Sequence, residues 1–289
     1  MNDYRSILVH VSDSERSRKA LSCAAGIATS HGAVLRAMHA VEPLHMGAFL
    51  SPEAAMTAAQ LNEEAERRRL EAAQDRVLQA AQANGLRIAF DSPGGDPLAV
   101  MTDSSRIADL VVIGQPLDGD AAGPSRRFVS RLLVGAGCPL LFVPAIGPLE
   151  GCGDRILVAW SGTRESARAL RDAMPLLHRA SSVEILRLGG KGEDSEEPLD
   201  GVASFLRAFG VTASCSVRPV REISFSERVL TPSVVDASIA ELLLSHAGDS
   251  NADLIVMGGY GHTRTFELVL GGVTQTMLRS MTVPVLMSH

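Results

Sequence analysis

The residues with the clearest potential for chemistry lie near the C-terminal end of the chain. Gly258, Gly261 and Gly271 give the spacing Gly-x2-Gly-x9-Gly directly after the apolar run 254–257. Glycines that follow a strand let the backbone turn sharply and approach a ligand closely. Gly271 and Gly272 precede an apolar helical run, where the first backbone N–H groups lack helical partners and favour phosphate. The pattern predicts a phosphate-binding loop, although glycines also serve tight turns alone.

The elements that must position this loop occur twice. Residues 5–17 recur as 154–166, residues 108–114 recur as 252–258, and residues 138–143 recur as 283–288. Three landmarks in one order and at nearly constant spacing indicate a tandem duplication. We predict domains at 1–146 and 153–289, because the segment 145–153 between them is rich in Pro and Gly.

Each half alternates apolar strand-like runs with helical segments. This pattern predicts an α/β fold with two doubly wound, five-stranded parallel-sheet domains, Rossmann-like, with strand order 3-2-1-4-5. In such sheets ligands bind beyond the carboxyl ends of the strands, where the strand order reverses. The loop at Ser161 and Gly162 should therefore face the loop at Gly258. We expect a long, solvated polar helix near 52–84 and a loop near 218–233.

The glycine spacing after Ala-Asp-Leu-Ile-Val-Met resembles the nucleotide loop of the universal stress protein family. The resemblance covers nearly the whole chain as two copies. It implies that Gly258, Gly261, Gly271 and Gly272 contact phosphate and ribose, mostly through backbone. That family usually has Ser or Thr after the last glycine, where this chain has Gly272 followed by Val273 and Thr274. We include these two residues and His262 in the predicted site, although a polar loop residue with no catalytic role is the simpler interpretation of His262.

The family's first motif ends strand one with Val-Asp-Gly-Ser, and its Asp contacts the nucleoside. Ser161 stands in that place here, followed by Gly162. Serine can still form hydrogen bonds but lacks a carboxylate acceptor. The resemblance also implies that the backbone of Leu188 meets the adenine. We therefore expect weaker nucleotide binding than in a standard member, or a different ligand geometry.

The first half departs further from the family pattern. Gly114 matches Gly258, but Leu117 replaces the second glycine, and Arg126 and Arg127 stand where the second half has Gly271 and Gly272. Bulky side chains block a close approach of the backbone to a ligand. We expect at most one nucleotide site per chain, in the second half.

The composition excludes several other classes. The net charge is -6 and aromatic residues make up 4% of the 289 residues, which argues against nucleic-acid binding. We find no signal peptide and no apolar run long enough to cross a bilayer, so we expect a cytoplasmic protein. The cysteines are scattered, and no metal site is predicted beyond Mg²⁺ accompanying ATP.

Our hypothesis is a cytoplasmic stress-response protein that binds an adenine nucleotide, ATP or AMP, in its second domain. It would act as a sensor or regulator through an unidentified protein partner, without catalytic residues, with slow ATP hydrolysis left open. The resemblance implies pairing of the last strands between domains, as an intrachain pseudo-dimer or between chains as a homodimer. The main alternative is a scaffold of the same fold that binds no nucleotide. An adenylating enzyme is a third reading, because Ser161–Ser166 partly matches an ATP-pyrophosphatase loop.

Overall fold

The structure is a computed structural model that describes residues 3–40, 52–117, 123–149, 151–189, 199–219, 232–259 and 271–289. Its elements alternate as the sequence predicts. The first half contains β1 Ser6–His10, α1 Glu15–His31, β2 Val34–Met38, α2 Pro52–Asn84, β3 Ile88–Asp91, α3 Pro97–Ser105, β4 Leu110–Gly114, α4 Arg126–Gly135 and β5 Leu140–Val143. The second half contains β6 Arg155–Ala159, α5 Arg164–Asp172, α6 Met174–Leu177, β7 Ser182–Gly189, α7 Asp200–Ala208, β8 Ser214–Pro219, α8 Pro232–Asp249, β9 Leu254–Gly258, α9 Gly272–Ser280 and β10 Val285–Ser288.

The ten strands form one sheet in the order β3-β2-β1-β4-β5-β10-β9-β6-β7-β8. Each half therefore has the predicted order 3-2-1-4-5, and its strands are parallel. The halves join through an antiparallel pair, β5 with β10, in which Leu141 lies opposite Leu286. This is the predicted intrachain pairing, and it relates the two halves by a pseudo-twofold axis.

Burial follows the position of each strand in the sheet. Every residue of the central strands β4, β5 and β10 is buried, as expected for strands covered by helices on both faces. The edge strand β8 is largely exposed. The fully apolar runs in the sequence therefore mark the strands at the centre of the sheet.

A repeated aspartate fixes the first strand of each half beside the fourth. The carboxylate of Asp109, just before β4, accepts hydrogen bonds from the backbone N–H groups of Arg5 at 2.7 Å and Ser6 at 2.9 Å. In the second half, Asp253 accepts from Gly153 at 3.1 Å and Arg155 at 2.9 Å. The Ala-Asp pair common to both repeats thus sets the register at the amino edge, opposite the candidate site.

The long helix α2 has the predicted bounds, and most of its side chains are exposed. Ala73 and Val77 are buried, and the helix packs on α1. The loop predicted near 218–233 falls mainly outside the described residues: β8 ends at Pro219 and α8 begins at Pro232.

Candidate functional site

The carboxyl ends of β6 and β9 lie side by side in the second half. Ala159 is opposite Met257 in the parallel register, so Ser161 and Gly258 emerge at the same edge of the sheet. From β6 the chain continues to β7 on one side, while β9 lies on the other. This is the point at which the strand order reverses, and it is where doubly wound sheets bind ligands. Of the predicted site residues, Gly261 and His262 lie outside the described residues.

The loop after β6 is short and open to solvent. Ser161 and Gly162 are exposed, and Gly162 has a φ of 72°, in the left-handed region that favours glycine. The Ser161 and Thr163 hydroxyls are 3.0 Å apart, and Thr163 Oγ1 accepts from the Ser166 N–H at 3.3 Å, capping α5. Ser161 therefore offers an accessible hydroxyl on a loop held in place by the start of a helix.

Gly258 has a packing reason to be glycine. A Cβ built there would lie 2.6 Å from the backbone nitrogen of Ser166 and 2.8 Å from Cβ of Glu165. The first turn of α5 therefore rests directly on the end of β9, with no space for a side chain. The glycine is needed for this contact whether or not a ligand binds, so Gly258 by itself does not indicate a nucleotide site.

Gly271 differs, because none of the described residues lies within 4 Å of a Cβ built at that position. Its φ of -54° and ψ of 143° are open to other residues. Gly271 is the N-cap of α9 and provides no side-chain hydrogen bond to the helix. Its carbonyl accepts from the Gln275 N–H at 2.9 Å, and the earlier amides of the helix have no acceptor within it. As far as the described residues go, free space and backbone N–H donors therefore occur together at the start of α9.

The side chains of Val273 and Thr274 are turned away from solvent, so only their backbone N–H groups are free to face a ligand at the start of α9. Val273 packs on the core, and Thr274 is only 3% exposed. Because β10 is parallel to β9, α9 must run back from the carboxyl edge to the amino edge. The start of α9 is therefore on the same side of the sheet as Ser161 and Gly258.

The predicted adenine contact is one strand away. Leu188 is half-buried on β7, opposite Arg218 in the β7–β8 ladder, and its side chain packs on the core. Trp160 directly follows β6, is half-buried and packs on the core of the other sheet face. The structure brings Ser161, Gly162 and Gly258 together, whereas Leu188 lies at the flank of this group.

Glu165 is a charged residue of this edge that the sequence analysis did not select. It is 9% exposed, and its Oε1 pairs with Arg164 at 3.0 Å. Burial raises the pKa of Glu165, but hydrogen bonds from its own backbone N–H, Arg164 and Thr163 outweigh this and hold the pKa below its ordinary value. A carboxylate is therefore present in the first turn of α5, beside Gly258. Its signal in the sequence was its place three residues after Gly162 in the repeat.

The corresponding edge of the first half is filled by its own side chains. Ser12, the counterpart of Ser161, is fully buried, and its hydroxyl is 2.9 Å from that of Ser14. Arg16, the counterpart of Glu165, is 6% exposed and donates from Nη1 to the Gln115 carbonyl at 2.7 Å. Arg76 of α2 donates to the carbonyls of Ser12 and Ser14.

The helix that follows the fourth strand is also capped differently in the first half. Ser125 is the N-cap of α4 and accepts from the Phe128 N–H at 3.0 Å. Arg126 is half-buried and Arg127 is exposed at this helix start. The N-cap of this helix is therefore a hydroxyl-bearing serine in the first half and a glycine without a side-chain acceptor in the second.

A separate cavity of about 990 Å³ lies beyond β2 and β3 in the first half. Its lining includes His39, Glu66, Arg69, Ser92 and Gly95. Burial lowers the pKa of His39, which is hydrogen-bonded to the Val11 carbonyl. Carboxylates and guanidinium groups of α2 share this cavity, so it combines both charges.

Within the described residues, no group of three or more His, Cys, Asp or Glu side chains has an arrangement that could hold a metal ion. All four cysteines are free thiols, and burial raises the pKa of Cys138 to about 12. No helix among the described parts of the chain is long and apolar enough to cross a membrane.

Comparison with known proteins identifies the family. A sequence model described as the universal stress protein family matches residues 3–144 and again residues 153–289. The chain therefore belongs to the universal stress protein family, as a tandem two-domain member. A search of curated proteins finds no significant match.

Solved structures share the fold over the whole chain. A universal stress protein from Archaeoglobus fulgidus is 17% identical, with 98% of this chain and 97% of that chain covered and a TM-score of 0.69. A functionally unknown protein from Pseudomonas aeruginosa PAO1 is 15% identical, with 99% of this chain and 92% of that chain covered and a TM-score of 0.56. Both likenesses extend through the two halves, which agrees with the duplication in the sequence.

Proposed function

We propose that this chain binds an adenine nucleotide, ATP or AMP, at the carboxyl edge of its second half and acts as a sensor or regulator in a stress response. The phosphates would lie at the start of α9, near Gly271 and Gly272, and the nucleoside would lie along Ser161, Gly162 and Leu188. The bound nucleotide would alter a surface read by a protein partner. Chemical turnover is not part of this proposal, and slow ATP hydrolysis is left open.

The contrast between the two pseudo-twofold-related helix starts carries the proposal. At α4 the Ser125 hydroxyl accepts a hydrogen bond from one of the free amides, that of Phe128, and the half-buried Arg126 is the first residue of the helix. At α9 the N-cap is Gly271, which provides no side-chain acceptor, and none of the described side chains lies within 4 Å of a Cβ built there. Backbone N–H groups with the positive end of a helix dipole favour phosphate oxygens. The second half retains this arrangement, and the first half does not.

The carboxylate of Glu165 favours binding of a nucleotide that already carries Mg²⁺. An ionised carboxylate beside Gly258 repels a free polyphosphate but is a preferred ligand for Mg²⁺, which also coordinates phosphate oxygens. We therefore propose Mg–ATP rather than free ATP as the triphosphate form that binds. Gly258 would support this site by seating α5.

A scaffold that binds no nucleotide is the competing function. Gly258 is explained by its contact with Ser166, and Ser161 and Gly272 replace residues that contact the nucleotide elsewhere in the family. Under this reading the open start of α9 is a surface feature only. The two proposed functions differ in whether a nucleotide binds at the start of α9.

The deciding experiment is to denature freshly purified protein, identify released nucleotide by mass, and titrate the emptied protein with Mg–ATP by calorimetry. About one nucleotide per chain, or a saturable heat, supports the proposal. The absence of both at millimolar ATP favours the scaffold. Gly261→Leu should abolish binding and keep the fold, whereas Leu117→Ala, at the matching position of the first half, should bind as the parent does. Equal binding by both variants would contradict the assigned edge.

A further inference from the structure

Gln115 of the first half reaches into the second half. It directly follows β4, is 4% exposed, and donates from Nε2 to the carbonyls of Leu278 at 2.8 Å and Arg279 at 3.2 Å. Its Oε1 accepts from the Ala145 N–H at 2.8 Å. Both ends of the buried amide are thus satisfied, which fixes the orientation of the side chain.

The two carbonyls belong to the last turn of α9. The last four carbonyls of an α-helix have no partner within it, and here the Met281 N–H donates to the Met277 carbonyl at 2.8 Å. Gln115 supplies donors for Leu278 and Arg279, so a residue of the first half caps a helix of the second. The backbone of Gln115 is itself held by Val143 and by Arg16, at 2.8 and 2.7 Å.

The other end of the same helix is the proposed phosphate site. Helix α9 has nine residues, and the carbonyls that Gln115 contacts lie about 11 Å along the helix axis from Gly271. A short, regular helix moves as a unit, because its backbone hydrogen bonds must remain intact. A shift at Leu278 is therefore transmitted to the amides near Gly272.

A second contact holds the beginning of the glycine loop. Gly259, the counterpart of Gln115, lies against Leu133 of α4, and a Cβ built on Gly259 would be 2.9 Å from Leu133 Cδ2. Its N–H donates to the Ser288 carbonyl at 2.8 Å. Leu133 and Leu278 are themselves counterparts in the repeat. The first half thus contacts the chain on both sides of the segment 260–270.

We propose that Gln115 is a positioning residue for the second-half nucleotide site, so that the two halves form one binding unit. This inference rests on the proposed function. Gln115 touches no nucleotide; it sets the place of α9 and thereby the direction of the amides that meet the phosphates. The effect is specific to phosphate, because the nucleoside side of the edge, at Ser161 and Leu188, belongs to β6 and β7.

The test compares Gln115→Met with Ser105→Ala. Methionine keeps the volume of Gln115 and removes its hydrogen bonds. Ser105 is a fully buried first-half residue, and its hydroxyl bonds within the first half, to the Thr102 carbonyl at 2.6 Å and to the Gly137 N–H at 3.1 Å. Calorimetric titrations with Mg–ATP and with adenosine, at the same temperature, measure the affinity for the whole nucleotide and for its nucleoside part.

Gln115→Met should weaken Mg–ATP binding by about three- to tenfold, the value of one or two lost hydrogen bonds, and change adenosine binding by less than about twofold. Ser105→Ala should leave both affinities unchanged. An unchanged Mg–ATP affinity, or equal losses for ATP and adenosine, would overturn the proposal.

Hydrogen exchange separates this inference from the proposed function. The amide of Gln275 closes the first turn of α9 on the Gly271 carbonyl, so its exchange rate reports the order of the helix start without any ligand. If the parent binds no nucleotide, faster exchange at Gln275 in Gln115→Met than in Ser105→Ala still supports the positioning of α9 by the first half. Equal rates in the two variants would refute it.

Discussion

The carboxyl edges of the two halves show how one duplicated arrangement can be filled by side chains in one copy and, in the part of the chain that the structure describes, remain exposed in the other. In the first half, buried Ser12, the Arg16 guanidinium and Arg76 from α2 occupy the crevice between the first and fourth strands. In the second half, Ser161 and Gly162 are exposed and an acid replaces the arginine. The sheet order is the same in both, so the difference lies in side chains that follow the strands. The fold provides the crevice, and a few residues decide whether it can receive a ligand.

The largest expected effect tests the packing role of the strand-four glycines. Gly258→Ala should destabilise the protein by more than about 3 kcal/mol, because the new Cβ would meet the backbone of α5 at 2.6 Å. Gly114→Ala should cost about 1 kcal/mol, because its nearest neighbour is Cβ of Arg16 at 3.2 Å and only a small shift is needed. Urea unfolding measures both. Equal losses would show that the two helices are seated alike.

A second prediction concerns His10, whose counterpart is Ala159. Burial lowers the pKa of His10 to about 4, against 6.5 for an exposed histidine, while its Nε2–H donates to the Ala40 carbonyl at 2.9 Å. Between these values the unfolded chain binds a proton that the folded chain excludes. Stability from the neutral ring is therefore complete above pH 6.5 and falls by about 3 kcal/mol as the pH drops towards 4.

The variant His10→Gln isolates this contribution, because glutamine can donate to the same carbonyl and does not titrate. Its free energy of unfolding should decline less than that of the parent between pH 7 and pH 4. Parallel curves for the two proteins would show that the ring is not kept neutral.

The N-cap residues of α4 and α9 can be exchanged by mutation. Gly271→Ser copies the Ser125 cap, should change stability by only a few tenths of a kcal/mol, and should weaken Mg–ATP binding about tenfold because its hydroxyl takes an amide meant for phosphate. Ser125→Gly should not create a site in the first half, because Arg16 still fills the crevice. Binding of ATP to Gly271→Ser at the parent's affinity would place the phosphates elsewhere.

The smallest expected effect is on metal dependence. Glu165→Gln should strengthen metal-free ATP binding about threefold and reduce the gain on adding Mg²⁺, because a repelling carboxylate becomes neutral. Glu241→Gln, at an exposed position of α8, is the control and should leave both affinities unchanged. An identical Mg²⁺ gain in the parent and in Glu165→Gln would remove Glu165 from the site.

Much of the architecture could be predicted from the sequence, because it depends on local and repeated signals. Apolar runs such as 110–114 and 254–257 define buried strands, and the repeat identifies the matching elements. The loop after β6 and the start of α9 could likewise be located. The sequence did not reveal that Gly258 is required by α5, because a glycine kept for packing and a glycine kept for a ligand are the same letter.

The contacts between halves were also beyond sequence reasoning. Gln115 and Gly259 are counterparts in the repeat, yet each meets the opposite half, and nothing in the local pattern of either residue indicates a partner more than 120 positions away. Arg16 was similarly inconspicuous, since an arginine in a helix's first turn is usually solvated. Such long-range pairs depend on the antiparallel pairing of β5 and β10, which sets one half against the other.

The β5–β10 pairing also bears on how the two copies could diverge. Two identical single domains joined in this way would be a symmetric dimer, in which every mutation appears at both edges at once. Covalent linkage of the two copies removes that constraint, because each edge is encoded separately while the pairing of unlike halves is guaranteed at any protein concentration. One crevice can therefore be closed by an arginine and made part of the framework without loss of the other. The chain is in effect a heterodimer that cannot dissociate, so one half can change to stabilise the other without keeping a site of its own.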